Sequence, residues 1–448
     1  MKRLDLAPTE ENLLESIRDD VTGRNQDIVD FIKLLDSTDG PFTYMIDASW
    51  GDGKTFFVKS VCLLLESLNN RLGSERQNYP ELKGIIEKLG DDDISILPFY
   101  FNAWENDFAN DPIMALFACM AASFDGGGLP QSQDIKKAIV PIIDAALALS
   151  PIPIKISDIT ASFTTDSLIG AFKSKAEIRS RINTLFEDAI PRTANKLVIF
   201  IDELDRCRPD FAVHLLEQTK SLFNSKNVIV VFSADLDQLA KAVGGAYGTG
   251  FDTTRFLERF FDERITMQRV DSYAFTHDGL PLSPNNKFDA LVSEIISKKV
   301  FTIRDAWRIK EKLDLAREYA LNGNHVHYSE VLASCTVLPL LVFIEHEDIA
   351  LFRAITSGND FDAVYSYGKQ YSSFIKNVKE AITRSRIDVP EKDRDKLSEA
   401  DCSAYMHKLC ILIYGSRTSA EYREALNQLD DFSRTTIARN VYEQLKFV

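Results

Sequence analysis

The clearest signal along the chain is a set of short apolar runs that are rich in β-branched and aromatic residues. Such runs are typical of buried strands, and helical patterns alternate with them along the chain. This alternation predicts an α/β fold with a mainly parallel sheet that helices cover on both faces. The runs are FTYMIDA (42–48), ISILPFYFNAW (94–104), KLVIFID (196–202) and VIVVFSAD (228–235).

Helical periodicity fills the chain between these runs and dominates it after about residue 285. A stretch rich in Gly, Pro, Ser and Asn at 270–285 predicts a domain boundary. We therefore predict an N-terminal helical segment (1–40), a core (41–275) with an insert at about 125–175, and an all-α C-terminal region (285–448). The helical patterns cover 11–37, 56–68, 111–123, 175–189, 209–223, 235–244, 288–300, 301–321 and 422–447.

A phosphate-binding loop is predicted between the first strand and the helix that follows it. The pattern is Gly, any four residues, Gly-Lys, then Ser or Thr, and IDASWGDGKTFF contains most of it. Gly51 and Gly53 allow backbone amides to turn toward phosphate oxygens. Lys54 is expected to reach the β and γ phosphates, and Thr55 to offer its hydroxyl to Mg²⁺.

Ala48 is the departure from this pattern, because it stands where the first Gly belongs. Alanine is the smallest replacement, and it is tolerated if the position needs no positive φ. We therefore interpret the loop as a working nucleotide site rather than as an exposed turn before a helix. The loop residues expected to bind nucleotide are Trp50, Gly51, Asp52, Gly53, Lys54, Thr55 and Phe56.

The end of the third run supplies the second half of a nucleotide site. A strand that delivers a carboxylate at its C-terminal end is the Walker B arrangement, here Asp202 followed by Glu203. Asp202 is predicted to bind Mg²⁺ together with Thr55. Glu203 is positioned to act as the general base that polarises the attacking water.

Two further assignments leave alternatives open. Arg206 is expected either to sense the γ-phosphate or to pair with Asp205 or Glu203. Trp50 and Trp104 fit either a base-stacking platform or core packing, and the apolar strands beside them favour the core. ATP is favoured over GTP, because the chain has no convincing Asn-Lys-x-Asp motif for reading guanine.

Charge and cysteine content limit the cellular setting. The net charge of −15 argues against a protein coated in nucleic acid, although it leaves room for a local basic groove. The six cysteines are scattered without a CxxC pair, which favours a reducing cytoplasm. The apolar stretch at 138–154 is too short for a spanning helix and contains Asp144, so no membrane span is predicted.

These motifs together resemble the KAP family of P-loop NTPases over roughly residues 15–312. The segment FIDELDRCRP carries the most telling match, from Asp202 to Pro209. Three arginines are assigned by the resemblance: Arg24 before a helix, Arg259 where Lys is common, and Arg304 on a helical segment that faces the nucleotide in related ATPases. Other matching pieces are DDVTGRNQDIVDFIKLL, SWGDGKT, FYFNAWEND and VIVVFSADLDQLAKAV.

The resemblance implies an ATP- and Mg²⁺-dependent ATPase with a helical extension, and its bacterial relatives imply a role in anti-phage defence. Arg206, Arg259 or Arg304 is expected to sense the γ-phosphate, with Arg24 near the nucleotide. A homo-oligomer or a partner protein is expected. The alternative is a nucleotide-gated scaffold that binds ATP with negligible turnover and recruits a partner protein.

Overall fold

The structure is a computed structural model, and every structural statement below concerns the residues that it describes. The predicted insert at about 125–175 and the apolar stretch at 138–154 lie outside these residues, as does most of the helix predicted at 175–189. The described residues are 7–20, 22–72, 79–90, 94–125, 180, 182–184, 186–187, 190–192, 194–248, 250–267, 282–283, 285–322, 331–384 and 397–429.

Five parallel strands form one sheet in the order β2-β3-β4-β1-β5. The four predicted strands are confirmed within one or two residues at each end. The fifth was not predicted, because it is a four-residue edge strand with exposed charged positions rather than an apolar run. The strands are β1 (Phe42–Asp47), β2 (Ile96–Asn102), β3 (Lys196–Asp202), β4 (Val228–Ala234) and β5 (Glu263–Thr266).

Helices cover both faces of this sheet, as the apolar runs predicted. Alternate residues of β3 point to opposite faces: Val198 and Phe200 pack in one apolar cluster, and Ile199 and Ile201 pack in the other. Side chains of helices α1 to α4 pack in the first cluster, and side chains of helices α5 to α8 pack in the second. These helices are α1 (Glu10–Asp19), α2 (Asn25–Ser37), α3 (Lys54–Leu68), α4 (Lys83–Leu89), α5 (Pro112–Asp125), α6 (Pro209–Leu222), α7 (Leu236–Tyr247) and α8 (Thr253–Leu257).

The chain divides into two compact units between Val270 and Asp271. The described part of the second unit is helical and contains no strand, which confirms the predicted all-α C-terminal region. Its core is apolar, with Phe288, Phe343 and Phe374 fully buried. Its helices are α9 (Lys287–Lys298), α10 (Ile303–Asn322), α11 (Leu338–Glu347), α12 (Ile349–Thr356), α13 (Ala363–Gly368), α14 (Ser372–Arg384), α15 (Glu399–Tyr414) and α16 (Ala420–Gln428).

Within the second unit, Glu294 of α9 holds the N-terminus of α14. Its carboxylate accepts hydrogen bonds from the backbone amides of Ser372 (2.8 Å) and Ser373 (2.7 Å) and from the Lys298 ammonium (2.8 Å). Burial acts to raise the pKa of Glu294, but the bonds from Lys298, Ser373 and Ser372 outweigh it and bring the pKa from 4.5 to about 2. The ionised carboxylate therefore stabilises the fold.

We predict that Glu294→Gln lowers the free energy of unfolding of the second unit by about 1–2 kcal/mol at pH 7. Because the folded pKa lies below the unfolded one, this stabilisation exists above pH 4.5 and is lost as the pH falls toward 2. Urea unfolding checks it, followed by Trp307 fluorescence in a Trp50→Phe, Trp104→Phe background. Glu318→Gln, an exposed change on α10, is the control, and a constant difference between pH 7 and pH 3 contradicts the prediction.

Candidate nucleotide-binding site

The predicted phosphate loop joins the buried strand β1 to the start of α3, and both of its ends are fixed. At the end of β1, one carboxylate oxygen of Asp47 accepts the amide of Leu236 (2.9 Å). The other accepts the Nε of Arg264 on β5 (3.1 Å). The amide of Ala48 then donates to the carbonyl of Ala234 at the end of β4 (3.4 Å). The loop therefore leaves the sheet from a defined point beside β4.

The glycines and Ala48 adopt the conformations that a phosphate loop needs. Gly51 has φ 94° and Gly53 has φ 83°, a left-handed region that favours glycine. Ala48 is not among the described residues with positive φ, and its side chain is buried in the apolar cluster of β1 and α3. Alanine is therefore tolerated at this position, as the sequence predicted.

Lys54 places a buried ammonium group directly over the loop. The side chain is 8% exposed, and its Nζ donates to the carbonyl oxygens of Ala48 (2.6 Å) and Ser49 (3.3 Å). Lys54 is also the first residue of α3, where free backbone amides and the helix dipole favour an anion. A buried cation beside a helix N-terminus fits a phosphate group.

Arg24 supports the loop from the N-terminal side. It is 4% exposed, and its Nη2 donates to the carbonyl of Asp52 in the loop (3.4 Å). Burial lowers the pKa of Arg24, while the charges of Asp27 and Asp52 act in the opposite direction. The structure thus places Arg24 beside the loop, where it binds the backbone carbonyl of Asp52.

Strand register brings the predicted Walker B residues to the same edge of the sheet. Asp202 lies opposite Asn102 of β2 and Ser233 of β4, and Asp47 lies opposite Ala234 of β4. All these residues stand at the carboxyl ends of their strands. The phosphate loop and Asp202 are therefore separated only by the width of β4.

Asp202 presents a fully buried carboxylate at this edge. One oxygen accepts the amide of Glu203 (2.9 Å), and the other accepts the hydroxyl of Tyr100 (3.1 Å). Burial raises the pKa of Tyr100, and the negative charge of Asp202 raises it further, so the phenol stays protonated as a donor. The carboxylate is held in one orientation by two donors.

Glu203 has an unusual backbone and two side-chain partners. Its φ of 60° is left-handed, a conformation that is costly for a non-glycine residue and that clusters at functional sites. One carboxylate oxygen pairs with Nη1 of Arg206 (3.0 Å), and the other lies 3.5 Å from the amide nitrogen of Asn102. Burial raises the pKa of Glu203, and Arg206 acts against that rise. Among the alternatives for Arg206, this structure shows the pair with Glu203.

Asp205, like Tyr100, lies at this edge but was not assigned to the site from the sequence. Its carboxylate accepts a hydrogen bond from the indole Nε1 of Trp50, which lies in the phosphate loop. Asp205 is 7% exposed; burial raises its pKa, and Trp50 and Lys54 act in the opposite direction. The family-like Asp-Arg pair in the sequence was a signal, but nothing in the sequence identified Trp50 as the partner.

The exposure of Trp50 and Trp104 contradicts the interpretation that both pack in the core. Core packing was favoured for both, but Trp50 is 48% and Trp104 is 51% exposed. Both residues follow the ends of buried strands, so their side chains lie in loops at the sheet edge rather than between the sheet and a helix. Trp104 lies against the guanidinium of Arg206, 5.3 Å from the ring centre.

Comparison with known proteins agrees with this geometry. A family model described as the KAP family P-loop domain matches residues 24–275, more than half of the chain. The chain belongs to the KAP family. The match covers all five strands and both halves of the site, which confirms the resemblance seen in the motifs. No curated protein matches the chain.

No helix in the described part of this KAP protein has the length and apolar character needed to span a bilayer. The statement does not extend to residues 138–154, which lie outside that part.

The structure does not bring Arg259 to the site edge of its own unit. The carbonyl of Arg259 accepts a bond from Lys220 in the last turn of α6, and nearby Asp262 binds the amide of Thr43 at the start of β1. Both contacts lie where the strands begin, because α7 and α8 carry the chain back across the sheet.

Arg304 is exposed in the first turn of α10 in the second unit, and its role stays a prediction.

We predict that Gly53→Ala weakens ATP binding about tenfold, whereas Ala48→Gly changes it less than twofold. In Gly53→Ala the free loop is expected to relax out of the left-handed region, so ATP binding must restore that conformation at a cost of about 1–2 kcal/mol, and 1.4 kcal/mol is a factor of ten. Ala48 carries no such strain, so it serves as the matched control. Isothermal titration with ATP and Mg²⁺ measures both. Equal losses in the two variants are the result that contradicts the loop conformation.

Proposed function

We propose that this KAP protein is a Mg²⁺-dependent ATPase whose hydrolysis drives or times a conformational change. The observation that supports it best is the convergence of two motifs on one sheet edge. Lys54 starts α3 beside the loop, and Asp202 ends β3 one strand away, with Glu203 directly after it. Ligand sites in open parallel sheets lie outside the carboxyl ends of the strands.

The phosphate groups would be held by the loop and the start of α3. The left-handed glycines turn backbone amides inward, and the buried Lys54 ammonium can exchange its carbonyl partners for phosphate oxygens. The Thr55 hydroxyl and the Asp202 carboxylate are hard oxygen donors that suit Mg²⁺. Mg²⁺, when bound, neutralises phosphate charge. The donor set therefore fits both groups.

Glu203 would take the proton from the attacking water. A general base must lie at the reacting edge and be ionised at the working pH. Glu203 follows Asp202 directly, and its ion pair with Arg206 favours the ionised form. Asn102 lies beside the second oxygen and limits the orientations of the carboxylate. Arg206 pairs with Glu203 in this structure rather than standing free for phosphate.

The same contacts favour a second candidate function, a nucleotide-gated scaffold that binds ATP with negligible turnover. The bonds from the guanidinium and the amide make the Glu203 carboxylate a weaker base than it would be at the same burial without them. If Arg206 and Asn102 keep hold of Glu203 after ATP binds, the site binds nucleotide without efficient hydrolysis. The two functions differ in phosphate release, so turnover separates them.

We predict that the native chain releases phosphate from ATP in the presence of Mg²⁺. Glu203→Gln should lower kcat at least about 100-fold, because a general base contributes roughly 10²–10⁴-fold. It should leave ATP binding within about threefold, since the amide keeps the shape of the side chain. Lys54→Ala should weaken ATP binding itself. Steady-state phosphate release and isothermal titration measure the two effects separately.

Two exposed positions of the same unit provide matched controls: Glu217→Gln on α6 and Lys241→Ala on α7. Both should behave as the native chain. If the native chain binds ATP without releasing phosphate, the scaffold function is favoured. If the native chain does not bind ATP, both functions are rejected.

The cellular role also stays a prediction. Anti-phage defence is proposed from the family resemblance, and a homo-oligomer or partner protein is proposed as the recipient of the conformational change. Deletion of the gene in a host challenged with phage, with a Lys54→Ala allele beside it, tests the first. An unchanged plaque count in both strains counts against defence.

A further inference from the structure

A single turn after β3 carries contacts to both halves of the site. Leu204–Arg206 form one turn of 3-10 helix between β3 and α6. Asp205 of this turn accepts the indole N–H of Trp50 from the phosphate loop. The next residue, Arg206, pairs with Glu203 at 3.0 Å. Adjacent residues of one turn therefore touch the phosphate loop and the general base.

Backbone hydrogen bonds and a buried leucine hold this turn in one conformation. Leu204 is fully buried in the core cluster shared with α6 and α7. The amide of Arg206 donates to the carbonyl of Glu203 (3.1 Å), and the amide of Cys207 donates to that of Leu204 (3.3 Å). A shift of the Asp205 carboxylate thus changes the position of Arg206.

We propose that this turn couples the state of the phosphate loop to the Arg206–Glu203 ion pair, with Asp205 as the positioning residue. Seating of phosphate in the loop moves Trp50, Trp50 moves Asp205, and the turn draws Arg206 away from Glu203. The inference rests on the proposed function, because it describes how that site switches between a restrained and a free base.

Burial makes the Trp50–Asp205 contact costly to break. Asp205 is 7% exposed, and a buried carboxylate requires donors. Its donors are the indole of Trp50 and backbone amides, including that of Asp235, and the Lys54 charge acts on it as well. The bond from Trp50 is the largest of these favourable contributions, so in this proposal the Asp205 carboxylate follows Trp50 when the loop moves.

Arg206 has a second partner when it leaves Glu203. Its guanidinium already lies 5.3 Å from the centre of the Trp104 ring, and Trp104 is 51% exposed. A cation on an aromatic face is attracted by the ring. The guanidinium can therefore retreat to the indole and to water without leaving an isolated buried charge, which lowers the cost of freeing Glu203.

A double-mutant cycle on ATP affinity tests the coupling. If ATP binding must break the Arg206–Glu203 pair through Trp50, removal of the pair makes binding easier. Arg206→Met should then lower the ATP dissociation constant about fivefold in the native chain. In the Trp50→Phe background, which lacks the indole donor, the same change should be less than twofold, because contacts in one network are not additive. Equal changes in the two backgrounds overturn the proposal.

Two further variants test whether the coupling passes through the Trp50–Asp205 contact. Asp205→Ala removes the acceptor at the other end of the contact and should reproduce Trp50→Phe, whereas a fivefold effect of Arg206→Met in that background overturns the proposal. Trp104→Phe keeps an aromatic face beside Arg206 and has no bond to Asp205, so the fivefold effect should persist in it. Circular dichroism confirms that each variant folds.

Kinetics separate this proposal from the proposed function. With saturating ATP, Trp50→Phe should lower kcat about tenfold in the native chain and less than twofold in the Arg206→Met chain, where Glu203 is already free. A tenfold loss in both chains overturns the coupling. Absence of phosphate release from the native chain rejects the ATPase function alone, since the affinity cycle needs no turnover.

Discussion

The parallel register of three strands is the constraint on which the site depends. β4 pairs with β1 on one side and with β3 on the other, and the three strands end within one residue of each other in register. Parallel strands place their carboxyl ends at one edge, so a loop after β1 and a carboxylate pair after β3 meet there. A one-residue slip of β3 would turn Asp202 to the opposite face of the sheet. The apolar packing on both faces specifies the register against such a slip.

Buried charged side chains dominate the electrostatics at the carboxyl ends of these strands. Lys54, Asp202 and Asp205 are each less than a tenth exposed, and each is held by hydrogen bonds from or to the backbone or a neighbouring side chain. Fixed charges and dipoles in a partly desolvated site interact more strongly than they would in water. Arg24 and Arg206 lie at the borders of the group, where Arg24 contacts the loop and Arg206 contacts Glu203.

The sequence predicted the elements whose signal is local. β1, β3 and β4 are continuous apolar runs, and the loop glycines carry their conformational meaning in their identity. The edge strand β5 was missed because Glu263 and Arg264 interrupt any apolar pattern. The apolar run that ends in two carboxylates located the predicted Walker B residues, and the domain limits inferred from composition and periodicity remain predictions.

Contacts between distant segments could not be read from the sequence. Trp50 and Asp205 are 155 residues apart, and their bond depends on where two loops emerge from the sheet. The exposure of Trp104 and the placement of Arg259 where the strands begin depend on how the chain crosses the sheet. Such outcomes follow from topology, which short patterns do not specify.

The most direct measurement is a crystal structure of the chain with Mg²⁺ and a non-hydrolysable ATP analogue. We predict the β and γ phosphates against the amides at the start of α3, with the Lys54 ammonium moved from the carbonyls of Ala48 and Ser49 onto phosphate oxygens. We also predict the metal near Thr55 and Asp202. A nucleotide bound elsewhere, or a Lys54 that keeps its carbonyl partners beside a bound nucleotide, would contradict the account.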